Sequence, residues 1–255
     1  MNKTSISDNS EYRQICLLAA NNEQDFNIFK QNPSYIEILE HCSYEQGLVY
    51  KEYIDQNLSD INSFLEKFKQ NDTLGSPTKY QYENIGLISA STLRYIKVLT
   101  DLKKLFDSLD NFSIVEIGVG YGGQCKIISD YYNLSNYSLI DLDEPLALTN
   151  KYLSLLNVKN FNIVNFDKID NSQIYDLVIS NYAFTEISRE IQLQYIQNVI
   201  YKSKHGYITC NFISQHFNID SLSLEELIEI LSVKFNVQKM QEYPLTFENN
   251  VILYW

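Results

Sequence analysis

The side chains of this chain best suited to moving a proton stand just after hydrophobic runs. Glu186 closes Ser180-Asn-Tyr-Ala-Phe-Thr-Glu186, and His216 sits in Ser214-Gln-His-Phe217, beyond the run Tyr207-Ile-Thr-Cys-Asn211. A base within hydrogen-bond reach of a hydroxyl takes its proton as the oxygen attacks, which accelerates transfer by about 10²–10⁴-fold. Histidine titrates near neutrality and suits the same task. Each also has an ordinary reading. Glu186 is expected to open the next helix, where the dipole favours an acid by about 0.3–1 kcal/mol, and His216 reads equally as a plain loop residue.

What these bases would act on follows from Ile114-Val-Glu-Ile-Gly-Val-Gly-Tyr-Gly-Gly123, a strand-like run that empties into a glycine turn. Glycines there let the backbone approach a ligand, and the N-terminus of the following helix directs free N–H groups into the same space. Gly118-x-Gly120-x-Gly122 fits an S-adenosylmethionine (SAM) motif, and Gly118-x-Gly120-x-x-Gly123 fits the dinucleotide fingerprint. Glu116, two residues before the first glycine, favours SAM, because an acid there suits the methionine end and would repel a pyrophosphate. Asp141, ending Tyr137-Ser-Leu-Ile-Asp141, lies roughly 20 residues beyond the turn, where a carboxylate grips ribose hydroxyls. Leu142 follows it. Phe166 is placed to lie on the adenine ring and Asp167 to accept from its amino group, while Asn181 and Tyr182 fall where the transferred methyl would point. Tyr121 and Gln124 are further pocket candidates.

These residues require a framework of strands and helices in alternation. Runs at 114–117, 137–141, 161–166, 175–180 and 207–211 read as successive strands, with helical segments between them. Phe235-Asn-Val-Gln-Lys-Met240 and Val251-Ile-Leu-Tyr-Trp255 are separated by too few residues for a crossover helix, so they should pair antiparallel. The fold expected is α/β: a Rossmann-like sheet, mostly parallel, with an antiparallel last strand and a helical N-terminal extension. No Tyr-x-x-x-Lys pair occurs, so an NAD-dependent oxidoreductase of the short-chain kind lacks its catalytic couple; it stays as an alternative, beside a non-catalytic SAM-fold module.

Ahead of the glycine turn the chain reads as helix, over about 11–20, from the Asn32 cap with Pro33 at the first helical position, and over 45–69. Leu74-Gly-Ser-Pro77 breaks the pattern. Residues 1–85 are therefore expected to form a helical cap or lid over the acceptor side, and 86–255 the cofactor-binding domain. Arg94, on a helix whose apolar residues include Leu93, Ile96 and Leu99, either reaches the methionine carboxylate of SAM or flanks the stripe and faces water.

The 255 residues carry a net charge of −12 and a pI near 4.7, which argues against a nucleic-acid backbone as partner. Four cysteines at 16, 42, 125 and 210 show no paired or metal-binding spacing, the first residues are too polar for a signal peptide, and no run reaches membrane-spanning length. A soluble protein of a reducing cytoplasm is expected, working alone or as a homodimer. A metal would need several converging carboxylates. Asp141, Asp143, Asp167 and Asp170 are the available acids, and no metal is expected.

The pieces Leu74-Gly-Ser-Pro77, Ser89-Ala-Ser-Thr-Leu-Arg-Tyr95, Val115-Glu-Ile-Gly-Val-Gly-Tyr-Gly-Gly-Gln124, Ile140-Asp-Leu-Asp-Glu144 and Ser180-Asn-Tyr-Ala-Phe-Thr-Glu186 together resemble sugar O-methyltransferases of bacterial surface-polysaccharide clusters. The resemblance runs from about residue 74 to the end. It implies a class I SAM-dependent methyltransferase fold, SAM as cofactor and a sugar or nucleotide-sugar hydroxyl as acceptor. The chain departs from the family where Ile-Asp-Leu-Pro-Glu is usual: Asp143 stands in place of the proline.

Overall fold

The computed structural model describes residues 4–166, 169 and 172–255. Among them, β3 (Ser113–Ile117), β4 (Asn136–Ile140), β5 (Phe161–Ile163), β6 (Tyr175–Asn181), β7 (Ser203–Cys210), β8 (Gln238–Gln241) and β9 (Val251–Tyr254) form one sheet in the order β5-β4-β3-β6-β7-β9-β8. A separate hairpin joins β1 (Tyr80–Tyr82) to β2 (Gly86–Ile88). β3 pairs parallel with β4 and β6, β4 with β5, and β6 with β7, whereas β9 runs antiparallel to both β7 and β8. This is the Rossmann-like class I methyltransferase sheet expected from the sequence, antiparallel last strand included.

Alternation along β3 divides the core. Ile114 faces the side covered by α6 (Ala90–Phe106), α7 (Gly123–Tyr131) and α8 (Asp143–Leu155). Val115 and Ile117 face α9 (Arg189–Asn198) and α10 (Leu224–Ser232). Period-two side-chain alternation is what lets one strand serve two cores.

The N-terminal segment is helical, with corrections in detail. α1 (Ser10–Asn21) packs along α8, and α4 (Tyr44–Asn57) along α6. Between α1 and α4 lie α2 (Glu23–Ile28) and the short α3 (Pro33–Tyr35), whose Asn32 cap accepts from the Ser34 N–H as Pro33 predicts. A π-helical turn continues α3 over 36–40. The run expected over 45–69 is broken after Asn57 and resumes only as α5 (Leu65–Lys69). Leu58 is buried at that corner with its N–H on the Ile54 carbonyl, so tertiary burial overrides local helix propensity there. Phe26, Phe29, Tyr35, Tyr50 and Phe68 belong to the same buried cluster as Leu93, Tyr152 and Ile252. One core thus runs across the division expected near residue 85. No helix among the described residues is long and apolar enough to cross a membrane.

Candidate active site

The chain moves outward from β3 through β4 to β5, then returns to the other side of β3 as β6. Such a switch point leaves a crevice beyond the C-terminal strand ends, where ligands of open α/β sheets bind. One lip of the crevice is the glycine turn. Gly118, Gly120 and Gly122 have φ of +78°, +58° and +90°, a region that other residues enter at a cost. The other lip follows β6, where residues 183–186 form a 3-10 turn. The lips touch: a Cβ on Gly118 would lie 2.1 Å from the Ala183 Cβ. Gly122 caps α7, and Gly123 packs against the Tyr95 and Tyr121 rings.

Asp141 is half-buried beside the first lip. Its Oδ2 accepts from the Gly120 N–H at 3.0 Å and its Oδ1 from the Leu142 N–H at 2.7 Å. The carboxylate keeps acceptor capacity for a hydroxyl. Burial pushes this carboxyl up to about 6, against backbone N–H groups of Leu142, Gly120 and Val119 that lower it. A ribose hydroxyl is best accepted by the ionised form, so S-adenosylhomocysteine (SAH) affinity should be flat above about pH 7 and decline below about pH 6. Asp141→Ala should weaken binding by about 1.5–3 kcal/mol and abolish that decline. Calorimetry across pH 5 to 8 checks both; an unchanged affinity in the variant would move the ribose contact elsewhere.

Glu116 is 2 % accessible, under the turn, with the Tyr137 hydroxyl donating to its Oε2 at 2.8 Å. Burial pushes its carboxyl up to about 8, the Tyr137 hydrogen bond opposing and the Asp141 charge adding to the rise. Burial thus favours the protonated form of this acid. Tyr121 turns into the core, among Phe29, Tyr95 and Tyr152 with the buried Lys30 ammonium 4.0 Å from its ring centroid. Gln124 is buried too, donating to the Tyr95 carbonyl at 3.2 Å. Phe166 packs on Tyr195, ring centroids 4.2 Å apart. Asp167 and Asp170 lie outside the described residues.

Arg94 does not face water. It is 9 % accessible and donates to the Leu39 carbonyl at 3.1 Å. Leu39 comes from the π-helical turn and also overlies Gly120, where an added Cβ would meet its Cδ1 at 2.7 Å. The N-terminal segment reaches the second lip as well: the Ile6 N–H donates to the Glu186 carbonyl and the Ser188 N–H to the Thr4 carbonyl.

Glu186 lies in the 3-10 turn ahead of α9, which starts at Arg189 behind the Ser188 cap. The expectation that it opens the helix is corrected. The acid of the first turn is Glu190, so dipole stabilisation does not account for Glu186. Its Oε1 accepts from Asn211 Nδ2 at 2.6 Å, and Asn211 is fixed in turn by Thr185, whose hydroxyl donates to Asn211 Oδ1 and accepts from its N–H, both at 3.1 Å. Burial raises the Glu186 carboxyl above its ordinary range, with the Asn211 hydrogen bond opposing. Asn181 accepts from Thr209 Oγ1 at 3.3 Å. Tyr182 has φ +68° and ψ −42°, a backbone state that costs about 1–3 kcal/mol; its hydroxyl is held by the buried Glu242. His216 is exposed in the loop after β7, and no described contact joins it to Glu186.

Asn211, Leu39 and Glu242 were not singled out from the sequence as site residues. Asn211 had a signal, since it ends the fifth strand run. The others come from segments whose approach to the crevice is purely tertiary.

No family model and no curated protein matches the chain. Among solved structures it is similar to an rRNA methylase from Streptococcus thermophilus, at 15% identity over 63% of this chain and 95% of that one, with a TM-score of 0.45. A Streptococcus mutans protein solved in complex with SAH shows 15% identity over 62% and 95% at 0.46, and precorrin 8w decarboxylase from Methanobacterium thermoautotrophicum 16% over 62% and 89% at 0.45. The chain's own strand order, with its antiparallel β9 beside β7, makes its fold that of a Rossmann-like class I methyltransferase.

Proposed function

We propose that the protein is a SAM-dependent O-methyltransferase acting on a hydroxyl of a sugar or nucleotide-linked sugar, in surface-polysaccharide biosynthesis as the family resemblance implies. One observation carries the reading: a glycine-turn lip, with Asp141 held at it, meets a lip bearing the half-buried Glu186 carboxyl at a single switch point. The three positive-φ glycines and the acceptor capacity left on Asp141 support the cofactor reading. Phe166 and Asp167 are assigned to adenine, and Glu116, Asn181 and Tyr182 to the methionine and methyl end.

Bound SAM would supply a methyl group on a positively charged sulfur. The chain's part is to hold an acceptor oxygen in line behind that methyl, where positioning contributes much of the rate, and to take its proton on Glu186. A carboxylate held by one amide donor in a desolvated place is a stronger base than one in water. The four cysteines are free and buried, in keeping with a cytoplasmic enzyme.

Calorimetry with SAM, SAH and NADH tests the cofactor, and the mass of product formed from SAM and a panel of nucleotide-activated sugars tests the acceptor. SAM and SAH should bind and NADH should not. Heat from NADH with none from SAM would make this an oxidoreductase instead.

A further inference from the structure

The loop from Glu242 to Asn250, between β8 and β9, is built with polar side chains inward. Glu242 is 4 % accessible and Asn250 2 %. One Glu242 oxygen accepts from the Thr246 N–H at 3.1 Å, the Thr246 hydroxyl at 2.7 Å and Asn250 Nδ2 at 2.9 Å, and the other accepts from the Tyr182 hydroxyl. Thr246 Oγ1 also lies 3.3 Å from that hydroxyl. A carboxylate taken out of water is tolerated where donors replace the water. This knot fixes the loop to Tyr182, which directly follows β6 at the lip that carries Glu186.

The apolar side chains of the same loop face solvent. Tyr243, Leu245 and Phe247, at alternate positions, are 56 %, 46 % and 56 % accessible. A lone exposed apolar side chain is ordinary, but three in one short stretch whose polar neighbours turn inward reverse what burial selects and mark a binding surface. The surface is continuous with the crevice. The register Cys210–Val251–Gln241 sets this loop at the same sheet end as the loop after β7, where Phe217 is exposed and from which Asn211 reaches Glu186. On α4, the Tyr53 ring flanks the row, its centroid 5.7 Å from that of Tyr243. Residues 211–223 and 242–250 contain no lysine or arginine, while Asp220 and Glu248 are exposed acids. These loops therefore offer an anion no counter-charge and suit an uncharged, apolar group.

We propose that Tyr243, Leu245 and Phe247 form the outer wall of the acceptor side and receive a hydrocarbon substituent carried by the acceptor sugar. The inference rests on the transferase reading and narrows its substrate class. The row takes the substituent out of water, and the Glu242 knot holds the row in place beside the lip where the sugar hydroxyl meets Glu186.

Methyl and octyl β-D-glucopyranoside, which differ only in the length of an uncharged chain, are titrated into the SAH-loaded protein below the concentration at which the octyl compound forms micelles. The octyl glucoside should bind about ten- to a hundredfold more tightly, the gain when about two or three methylenes leave water at about fourfold each. That advantage should fall to within a few-fold in Leu245→Ser and in Phe247→Ser, whose side chains belong to neither core cluster, while SAH affinity stays near wild type. Equal affinity of wild type for the two glucosides, or an advantage that survives in both variants, would overturn the proposal. Two other occupants have their own signatures. A wild-type dimer on gel filtration that both variants dissociate would give the row to a second copy of the chain, and binding to phosphatidylcholine vesicles that both variants lose would give it to a bilayer; either result would overturn the proposal. If wild type takes up no SAH, the transferase reading fails by itself, and the same comparison on the free protein still decides the row.

Discussion

Glu186→Gln is expected to slow methyl transfer in a single turnover by about 10²–10⁴-fold while SAH affinity stays near wild type. Glutamine retains an oxygen to accept from Asn211 Nδ2, so the hydrogen bond seen at 2.6 Å survives and only basicity is lost. Wild-type transfer should fall as pH drops through the carboxyl's pKa, because the protonated acid cannot accept the hydroxyl proton. Burial raises that carboxyl, which puts this limb of the profile above the ordinary glutamate range of about 4.3. Asn211→Ala removes the donor that stabilises the charged form and should move the limb further up. The measurement uses SAM with the acceptor found in the nucleotide-sugar panel. A rate within a few-fold of wild type for Glu186→Gln would leave Glu186 without a catalytic part, and His216→Ala would then be the variant to compare.

The glycine turn and its aspartate were legible in the sequence because their information is local. A strand run, a glycine turn and the next strand's terminal aspartate are fixed by short-range geometry, and Gly120 does meet Asp141 across 21 residues. The antiparallel end of the sheet was legible for a topological reason, the gap before Val251 being too short for a crossover. Side-chain direction was less accessible. Tyr121 stands in the turn yet packs inward with Tyr152 and Lys30, and nothing in its neighbours along the chain says so. Glu186 was recognised by its place after the fourth strand, but its partner lies on β7's end, and only the parallel register of β6 with β7 brings Asn211 to it. Arg94 divided evenly between water and ligand in the sequence, because the stripe of α6 does not reveal that Leu39 covers the flank.

A chain beginning at residue 86 is expected to lose cooperative folding. Phe26, Phe29, Tyr35, Tyr50 and Phe68, each 2 % accessible or less, share a cluster with Leu93, Ile96, Tyr121, Tyr152 and Ile252. Fully burying such a side chain contributes about 1.5–3 kcal/mol, so these five alone supply about as much as the 5–15 kcal/mol by which a whole domain is typically stable. Removal would also bare α6 along the face that α4 covers and α8 along the face that α1 covers, exposing a large apolar patch. A circular-dichroism melt and gel filtration of the shortened protein, with SAH present and absent, give the answer. A sharp transition near that of the full chain, in a monodisperse species that still binds SAH, would make residues 1–85 an accessory lid. A broad or absent transition with aggregation would show that the same segment which reaches Gly120 and Glu186 also completes the core that holds the crevice in shape.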